Sequence, residues 1–274
     1  MIGFVKFVLA PAGLCGASLA ISGSRAGGVG VLNAELAADF AAVLSELAVL
    51  ATHARGRFGL KVDGLEASQA DALRPFVARG LRWLILDLES VSACTADIEA
   101  LRRAGVKVLA EVRRPDAGGA PLDCLDGLLL KGNEAGGFVG EDSSFILLQK
   151  WLGRTGLPLY LRGGLTPHVA AACSAVGVAG GVLDSQLLLM DEVELPAGLR
   201  TLLGNLSGSE TVAVGDGERG EYFRILVRPG HAAARTLVAR GDGLGFAALR
   251  PQVAAEAIGW SDPVAGHLPI GQDA

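Results

Sequence analysis

Residues 158–185 read PLYLRGGLTPHVAAACSAVGVAGGVLDS, a stretch that contains one complete strand–helix–strand unit. Its first apolar run is followed by two glycines, Thr166 and Pro167. Thr is a favoured N-cap and Pro suits the first helical position, so the pattern predicts a helix over 167–176. A second apolar run covers 180–184. Neither run alternates with polar residues, which is typical of parallel strands buried on both faces.

The same alternation of short apolar runs and helical segments extends towards the N-terminus. Strands are predicted over 4–10, 29–32, 58–62, 83–88, 106–112, 128–132, 158–162 and 180–184. Helices are predicted over 17–26, 33–53, 68–78, 95–104, 144–152 and 167–176, with Asn33 and Ser68 as N-caps of the second and third. Strand-then-helix units in this number predict an α/β fold, a closed (β/α)8 TIM barrel, over residues 1–190.

The pattern changes over residues 191–274, which we interpret as a C-terminal appendage or a partial second subdomain of mixed α/β structure. Strands are predicted there over 210–214 and 222–228, and a helix over 231–239. The barrel and this appendage are the two predicted domains.

Composition excludes several classes of protein. Half of the residues are apolar, 19% are charged, and the mean hydropathy is +0.42, which excludes a chain disordered throughout. A net charge of −5 argues against a nucleic-acid or anionic-membrane partner. Every long apolar stretch is interrupted by Gly, Pro or charge, so no membrane span is predicted. The four cysteines lack metal-ligand spacing, which indicates reduced thiols in a cytoplasmic protein and no metal site.

Ionisable residues follow the apolar part of the central strands, and residues two apart share a face of a strand. The pairs are Lys61 and Asp63, Asp87 and Glu89, Glu111 and Arg113, Lys131 and Asn133, and Arg162 and Gly164. Ligand chemistry in a (β/α)8 barrel sits at the C-terminal ends of its strands. The pattern therefore predicts a charged mouth over an apolar barrel, with an ordinary solvated loop entrance as the alternative.

Two glycine-containing loops stand where such barrels often bind phosphate. Gly163 and Gly164 precede a predicted helix N-terminus, which favours an anion through its free N–H groups and its dipole. Asp184 and Ser185 follow the eighth predicted strand, and Ser185 offers an N–H and a hydroxyl. We predict a phosphate site here, against glycines that only let the chain turn.

Three segments carry a resemblance to a known family. They are LKGNEAGGFVG at 130–140, the glycine pair at 163–164, and AGGVLDSQL at 179–187. Ala10-Pro11 and the stretch 18–32 are also similar. Together they resemble the nitronate monooxygenase (2-nitropropane dioxygenase) family, most closely the version embedded in type I polyketide and polyunsaturated-fatty-acid synthases.

The resemblance implies a TIM barrel that binds FMN and acts as a flavin-dependent oxidoreductase. The implied FMN-binding residues are Ala10, Pro11, Lys61, Asp63, Gly136, Gly137, Gly163, Gly164, Asp184 and Ser185. Lys131 and Glu134 are the candidate catalytic residues. The implied reaction is nitronate oxidation or, in synthase relatives, enoyl reduction of carrier-bound acyl thioesters. The implied partners are an acyl carrier protein, other synthase domains and a small-molecule substrate.

Several positions depart from the family pattern. Phe138 stands where the free-standing enzymes usually carry His, which predicts little or no turnover of nitronates or nitroalkanes. Asp63 and Glu111 stand near the family's strand-three Asn and strand-five Lys, and carboxylates do not stabilise an anionic reduced flavin. A non-catalytic, flavin-free structural or docking barrel in a synthase is therefore the alternative. A third interpretation is a phosphate-binding lyase or isomerase with Lys131 as Schiff-base amine.

Overall fold

The computed structural model describes residues 3–116, 118–262 and 265–272. Eight parallel strands close into a barrel in the order β1-β2-β3-β4-β5-β6-β8-β9. Their bounds are β1 Val5–Leu9, β2 Val29–Asn33, β3 Phe58–Lys61, β4 Leu81–Asp87, β5 Lys107–Val112, β6 Gly127–Lys131, β8 Leu159–Arg162 and β9 Gly180–Leu183. The predicted (β/α)8 barrel is confirmed, and each predicted strand overlaps the observed one.

Pairing of the first and last strands closes the barrel, with Val5 opposite Gly180. The barrel interior is apolar, with Phe7, Trp83 and Tyr160 in edge-to-face contact. The structure explains why position 30 on β2 is glycine. A Cβ there would overlap the backbone carbonyl of Ala20, so only glycine lets the first helix approach the sheet.

The helices that surround the barrel form one ring. They are α1 Ser18–Arg25, α2 Phe40–His53, α3 Ala67–Ala78, α4 Thr95–Arg103, α5 Ser144–Trp151 and α6 Pro167–Ala175. The Thr166 side chain accepts a hydrogen bond from the Val169 N–H, as its N-cap assignment predicts.

The predictions for Asn33 and Ser68 as N-caps were wrong. Asn33 belongs to β2, and its side-chain amide donates a hydrogen bond to the Ala10 carbonyl at 2.7 Å. Helix α2 therefore begins only after Asp39. Asp39 is the N-cap because its side chain accepts the Ala41 N–H. The N-cap of helix α3 lies two residues earlier than predicted, since Glu66 forms a capping box at its start.

A second, three-stranded sheet has the order β10-β11-β7. Its strands are β7 Gly137–Val139, β10 Thr211–Asp216 and β11 Glu221–Leu226. Helices α7 Ala197–Leu203, α8 Ala232–Gly241 and α9 Phe246–Ala255 complete the C-terminal part. Strand β7 belongs to the glycine-rich motif after β6, so this sheet joins residues on both sides of position 190. The domain boundary at 190 stays a prediction.

Residues 266–272, called here the closing segment, lie against both parts of the chain. The Leu226 N–H donates to the Leu268 carbonyl at 2.9 Å. The Gly271 N–H donates to the Ser185 hydroxyl, and the Gln272 N–H to the Glu134 carbonyl at 2.7 Å. The closing segment therefore contacts the loop after β6 and the loop after β9, and the second of these belongs to the predicted phosphate site.

Candidate functional site at the barrel mouth

The C-terminal ends of the strands carry a cluster of charged side chains, called here the mouth network. Each member is at most 2% exposed. The basic members are Lys61, Arg113, Lys131 and Arg162, and the acidic members are Glu35, Asp87, Glu111 and Asp184. Four positive charges face four negative ones, so the network compensates its own charge.

Glu111, on β5, is the centre of the network. One of its oxygens lies 2.7 Å from Arg162 Nη1, and the other lies 3.0 Å from Arg113 Nη2. The ammonium of Lys61 lies 3.5 Å from Glu111 and equally far from Glu35. Burial alone would raise the pKa of Glu111, but Lys131, Lys61 and the arginines hold it well below its usual range.

Glu35 follows β2 and faces the same interior. Burial would raise the pKa of this carboxyl, but Lys131, Lys61 and Arg162 lower it to about 2. Glu35 and Glu111 are therefore both ionised at neutral pH. Removing one partner from such a buried cluster leaves an uncompensated charge, which is strongly destabilising.

Lys131, predicted as catalytic, lies at the end of β6 inside this network. Its ammonium is 3.6 Å from Glu35 and 3.7 Å from Glu111, and it has no hydrogen-bond partner among the described residues. Burial and the nearby Arg162 lower the pKa of Lys131 to about 8. The amine is thus easier to deprotonate than an ordinary lysine, yet it is completely enclosed.

Glu134, the second predicted catalytic residue, points to the N-terminus of α5. Its carboxylate accepts hydrogen bonds from the Ser144 N–H at 3.0 Å and from the Ser144 hydroxyl. The same carboxylate lies beside the turn formed by Gly163 and Gly164, whose φ values of +105° and +62° require glycine. The carboxylate of Glu134 therefore lies beside the glycine turn at which a phosphate was predicted to bind.

The donors of the second predicted phosphate loop also have partners. The Asp184 carboxylate accepts the Ser185 N–H at 2.8 Å and the Arg162 Nε at 2.8 Å. The Ser185 hydroxyl accepts the N–H of Gly271 in the closing segment. Ser185 is 2% exposed and Asp184 is 1% exposed, so neither presents a donor to a ligand.

The remaining predicted cofactor residues line the same enclosed region. Ala10 and Pro11 follow β1 and are buried. Gly136 lies directly against the carbonyl of Pro269 in the closing segment, which leaves no room for a Cβ. Gly137 has a φ of +77° and faces Glu35 and Lys131.

Phe138 is fully buried, and it contributes to the wall of a cleft of about 510 Å³ beside α9. Its ring makes edge-to-face contacts with Phe223 at 4.8 Å and Phe246 at 5.7 Å between centroids. The guanidinium of Arg250, from α9, lies 4.5 Å above the same ring. Phe138 therefore anchors the second sheet and α9 over the barrel end.

These residues do not fit an FMN molecule as they are arranged. The phosphate of FMN would lie beside the carboxylates of Glu134 and Asp184, which repel it, and the Ser185 N–H already donates to Asp184. The side chains of the mouth network are buried at the strand ends, and the closing segment lies against Glu134, Gly136 and Ser185.

Asp63 lies outside the network, partly exposed beside Arg250, while Lys61 lies within it.

Two participants were missed from the sequence. Glu35 was assigned to a helix start, and Arg250 comes from α9, which was not predicted. Arg250 Nη2 pairs with Asp87, a contact that links residues 163 positions apart. The charge of Glu35 two residues after β2 was the only available signal.

No protein-family profile and no curated protein matches the sequence. Solved structures do match. FabK from Thermotoga maritima superposes with a TM-score of 0.80 at 20% identity, over 99% of this chain and 86% of that one. The nitroalkane oxidase from Streptomyces ansochromogenes gives 0.69 at 20% identity, over 97% and 89%. The fold is that of the nitronate monooxygenase-like barrels.

A third neighbour is the enoyl reductase domain of MlnA, from the macrolactin biosynthesis cluster of Bacillus amyloliquefaciens. It gives a TM-score of 0.61 at 12% identity, over 87% of this chain and 67% of that one. These likenesses confirm the resemblance at the level of the fold.

In the described ranges, no helix is long and apolar enough to cross a membrane. The same ranges hold no group of three or more acidic, His or Cys side chains arranged for a metal ion.

Proposed function

We propose that this chain is a flavin-free barrel with a structural or docking role, built on a fold that otherwise supports flavin-dependent oxidoreduction. The observation that carries the proposal is the closed mouth. A charge-balanced network fills the strand ends, and the closing segment covers them. A catalytic site needs a reacting group that a substrate can reach, but Lys131 is completely buried and the carboxylate of Glu134 is hydrogen-bonded to Ser144.

In this proposal the predicted site residues hold the barrel end together. Lys131 and Lys61 neutralise the buried carboxylates, and Glu134 stabilises the N-terminus of α5. Asp184 orients Arg162, and Ser185 fixes the closing segment. The glycines at 136, 137, 163 and 164 allow the close backbone approaches that these contacts require.

We further propose that the barrel serves within a synthase of the polyketide or polyunsaturated-fatty-acid type, in the cytoplasm. The sequence resemblance supports this, as does the structural likeness to an enoyl reductase domain of a biosynthetic cluster. The four cysteines are free thiols, which fits a reducing compartment. Partners would be neighbouring synthase domains or an acyl carrier protein.

The fold favours a second function, enoyl reduction of carrier-bound acyl thioesters by bound FMN. This function requires the closing segment to leave Ser185 and Gly136, and Glu134 to leave the glycine turn. FMN would then supply the redox chemistry while the protein binds and orients it.

An activity assay distinguishes the two. Purified protein is incubated with FMN and NADPH or NADH, and oxidation of the nicotinamide is followed with an enoyl-pantetheine thioester. Oxygen consumption is followed separately with a nitronate. The flavin-free proposal predicts rates equal to those of FMN and buffer alone. Turnover that depends on the protein would establish the second function instead.

A further inference from the structure

The end of the barrel opposite the mouth carries a group of positive side chains, called here the basic end. They belong to the segments that enter β2, β3, β4 and β5, and they are Arg25, Arg55, Arg57, Arg79, Arg82 and Lys107. Arg82 is half-buried and the others are exposed. Residues 1–34, 47–62 and 72–86, which supply all of them except Lys107, contain no Asp or Glu. Because the whole chain has a net charge of −5, its acidic residues are concentrated elsewhere.

The members of the basic end lie close together because the segments that carry them are hydrogen-bonded to one another. Helix α2 is the common partner. Arg25 Nε donates to the carbonyl of His53 at 3.1 Å, and Arg79 Nη2 donates to the carbonyl of Ala48 at 3.2 Å. The loop that follows α2 carries two more of the arginines. A carbonyl oxygen has no formal charge, so these contacts position the guanidinium groups without neutralising them.

The positive charges of the basic end are not compensated within the described part of the chain, where none of the six forms an ion pair. Three acidic residues lie at its border, near the end of α4. Asp126 pairs with Arg102 at 3.1 Å, and Glu99 lies 4.0 Å from Arg103. Asp123, also at this border, forms no ion pair with the six. Like charges gathered in this way repel one another, which a partner of opposite charge relieves.

The basic end surrounds an apolar centre at the opening of the barrel. Val5, Val29 and Ala179 are half-buried there and pack on the apolar barrel interior. The ammonium of Lys107 lies 5.1 Å from the centre of the Trp83 ring. Protein–protein interfaces typically combine an apolar core with a polar rim, and they are enriched in arginine. The surface therefore has the composition of an interface.

We propose that the basic end binds an acidic surface of a partner protein, which presents carboxylates to the arginines and apolar side chains to Val5 and Val29. This inference rests on the proposed docking role and names the class of partner. Arginine suits such a partner because a guanidinium can bind a carboxylate through two parallel N–H···O bonds. A nucleic acid or an anionic membrane extends beyond one end of the barrel and meets the acidic remainder of the surface, which disfavours both.

The probe is a fluorescent peptide made of three Glu-Leu-Glu-Glu-Leu-Ala-Ala repeats, and the same peptide with Gln for every Glu is its neutral control. Binding to the full chain is measured by fluorescence anisotropy at low and at physiological salt. Arg55→Glu combined with Arg57→Glu reverses two charges whose side chains contact no described hydrogen-bond partner. Arg74→Glu combined with Arg235→Glu is the matched control, because it changes the net charge equally at exposed positions outside the basic end. Thermal unfolding checks that both double variants are folded.

We expect saturable binding of the acidic peptide at low salt, at least tenfold tighter than that of the Gln peptide. Physiological salt should weaken it about fivefold, because exposed charges are screened. The Arg55 and Arg57 double variant should weaken it at least tenfold, because attraction becomes repulsion. The control double variant should stay within twofold of the unaltered chain. Absence of saturable binding, equal binding of the Gln peptide, or equal weakening by the two folded double variants overturns the proposal.

Other occupants are tested with duplex DNA and with phosphatidylglycerol vesicles. Either of them bound more tightly than the acidic peptide, and released by the Arg55 and Arg57 double variant, would overturn the assignment to a protein partner. The test is separate from that of the proposed function. Failure of peptide binding in a chain that retains no FMN overturns this inference alone, whereas retained FMN overturns the flavin-free barrel alone.

Discussion

Phe138 shows how one side chain can change the chemistry of a barrel end. The structure places this ring in an aromatic cluster with Phe223 and Phe246, with the guanidinium of Arg250 4.5 Å above it. Restoring the family's His at this position therefore meets a packing requirement as well as a chemical one.

We expect Phe138→His to lower the free energy of unfolding by about 2 kcal/mol, because aromatic contacts are lost and a polar ring is buried. We also expect no nitronate oxidation from it, since the mouth stays closed. Urea unfolding and oxygen consumption measure the two effects, with Phe138→Leu as the apolar control. Oxidation restored by the His alone would show that a substrate reaches this position.

Asp63 gives a pH-dependent prediction. Burial and the carboxylates of Asp87 and Glu35 raise the pKa of Asp63 to about 6, above its unfolded value of about 3.9. Ionising it therefore costs the folded state more than the unfolded state. This destabilisation is absent below pH of about 4 and complete above pH of about 6.

Asp63→Asn is accordingly expected to stabilise the protein by about 1 kcal/mol at pH 7.5, a value discounted because a third of the side chain is exposed. At pH 4 the gain should vanish. Unfolding curves at the two pH values measure it, with Asp71→Asn at an exposed position as the control. A gain that is equal at both pH values would contradict the assignment.

At the scale of the element, helix α5 depends on a carboxylate from the preceding loop. The carboxylate of Glu134 accepts hydrogen bonds from the N–H and the hydroxyl of Ser144, which indicates a structural role. A residue with a purely catalytic role would be dispensable for folding. Glu134→Gln should lower the free energy of unfolding by about 1 kcal/mol, the value of a charge-assisted hydrogen bond at a helix N-terminus. Urea unfolding measures this, and Glu192→Gln, at an exposed site, should change nothing. A Glu134→Gln variant with an unchanged free energy of unfolding would contradict the structural role and favour the catalytic assignment.

The elements also show what a sequence can predict. The barrel strands were predictable because buried parallel strands read as continuous apolar runs. Helix α2 was extended backwards to Asn33 because the loop over 34–38 reads AELAA and consists of good helix formers. Strand β7 lies within the glycine-rich motif over 136–140 and has only three residues, so no pattern of period two was visible.

The candidate site was predicted only in part from the sequence. Charges at the strand ends were visible, but not the fact that they neutralise one another. That depends on Glu35 from an irregular loop and on Arg250 from α9, both remote in sequence from the strand ends they contact. Pairing of this kind is a property of the closed barrel and has no local signal.

At the scale of the whole molecule, the mouth network connects β3, β4, β5, β6 and β8 through buried charges. Its stability rests on charge balance. Glu111→Gln should therefore destabilise the fold by about 3 kcal/mol, because it leaves an unpaired buried cation. Adding Lys131→Met to that variant removes one cation, and we expect the double variant to recover part of the loss. Thermal and urea unfolding measure both variants. A double variant no more stable than Glu111→Gln alone would contradict the balance.

Flavin content tests the central claim most directly. The chain is expressed in full, purified, and its visible absorbance recorded before and after equilibrium dialysis against FMN. Because Glu134, Asp184 and the closing segment occupy the space of a bound phosphate, we expect no flavin absorbance after purification and no retained FMN after dialysis. One FMN retained per chain would contradict the closed mouth and assign the barrel to flavin-dependent chemistry.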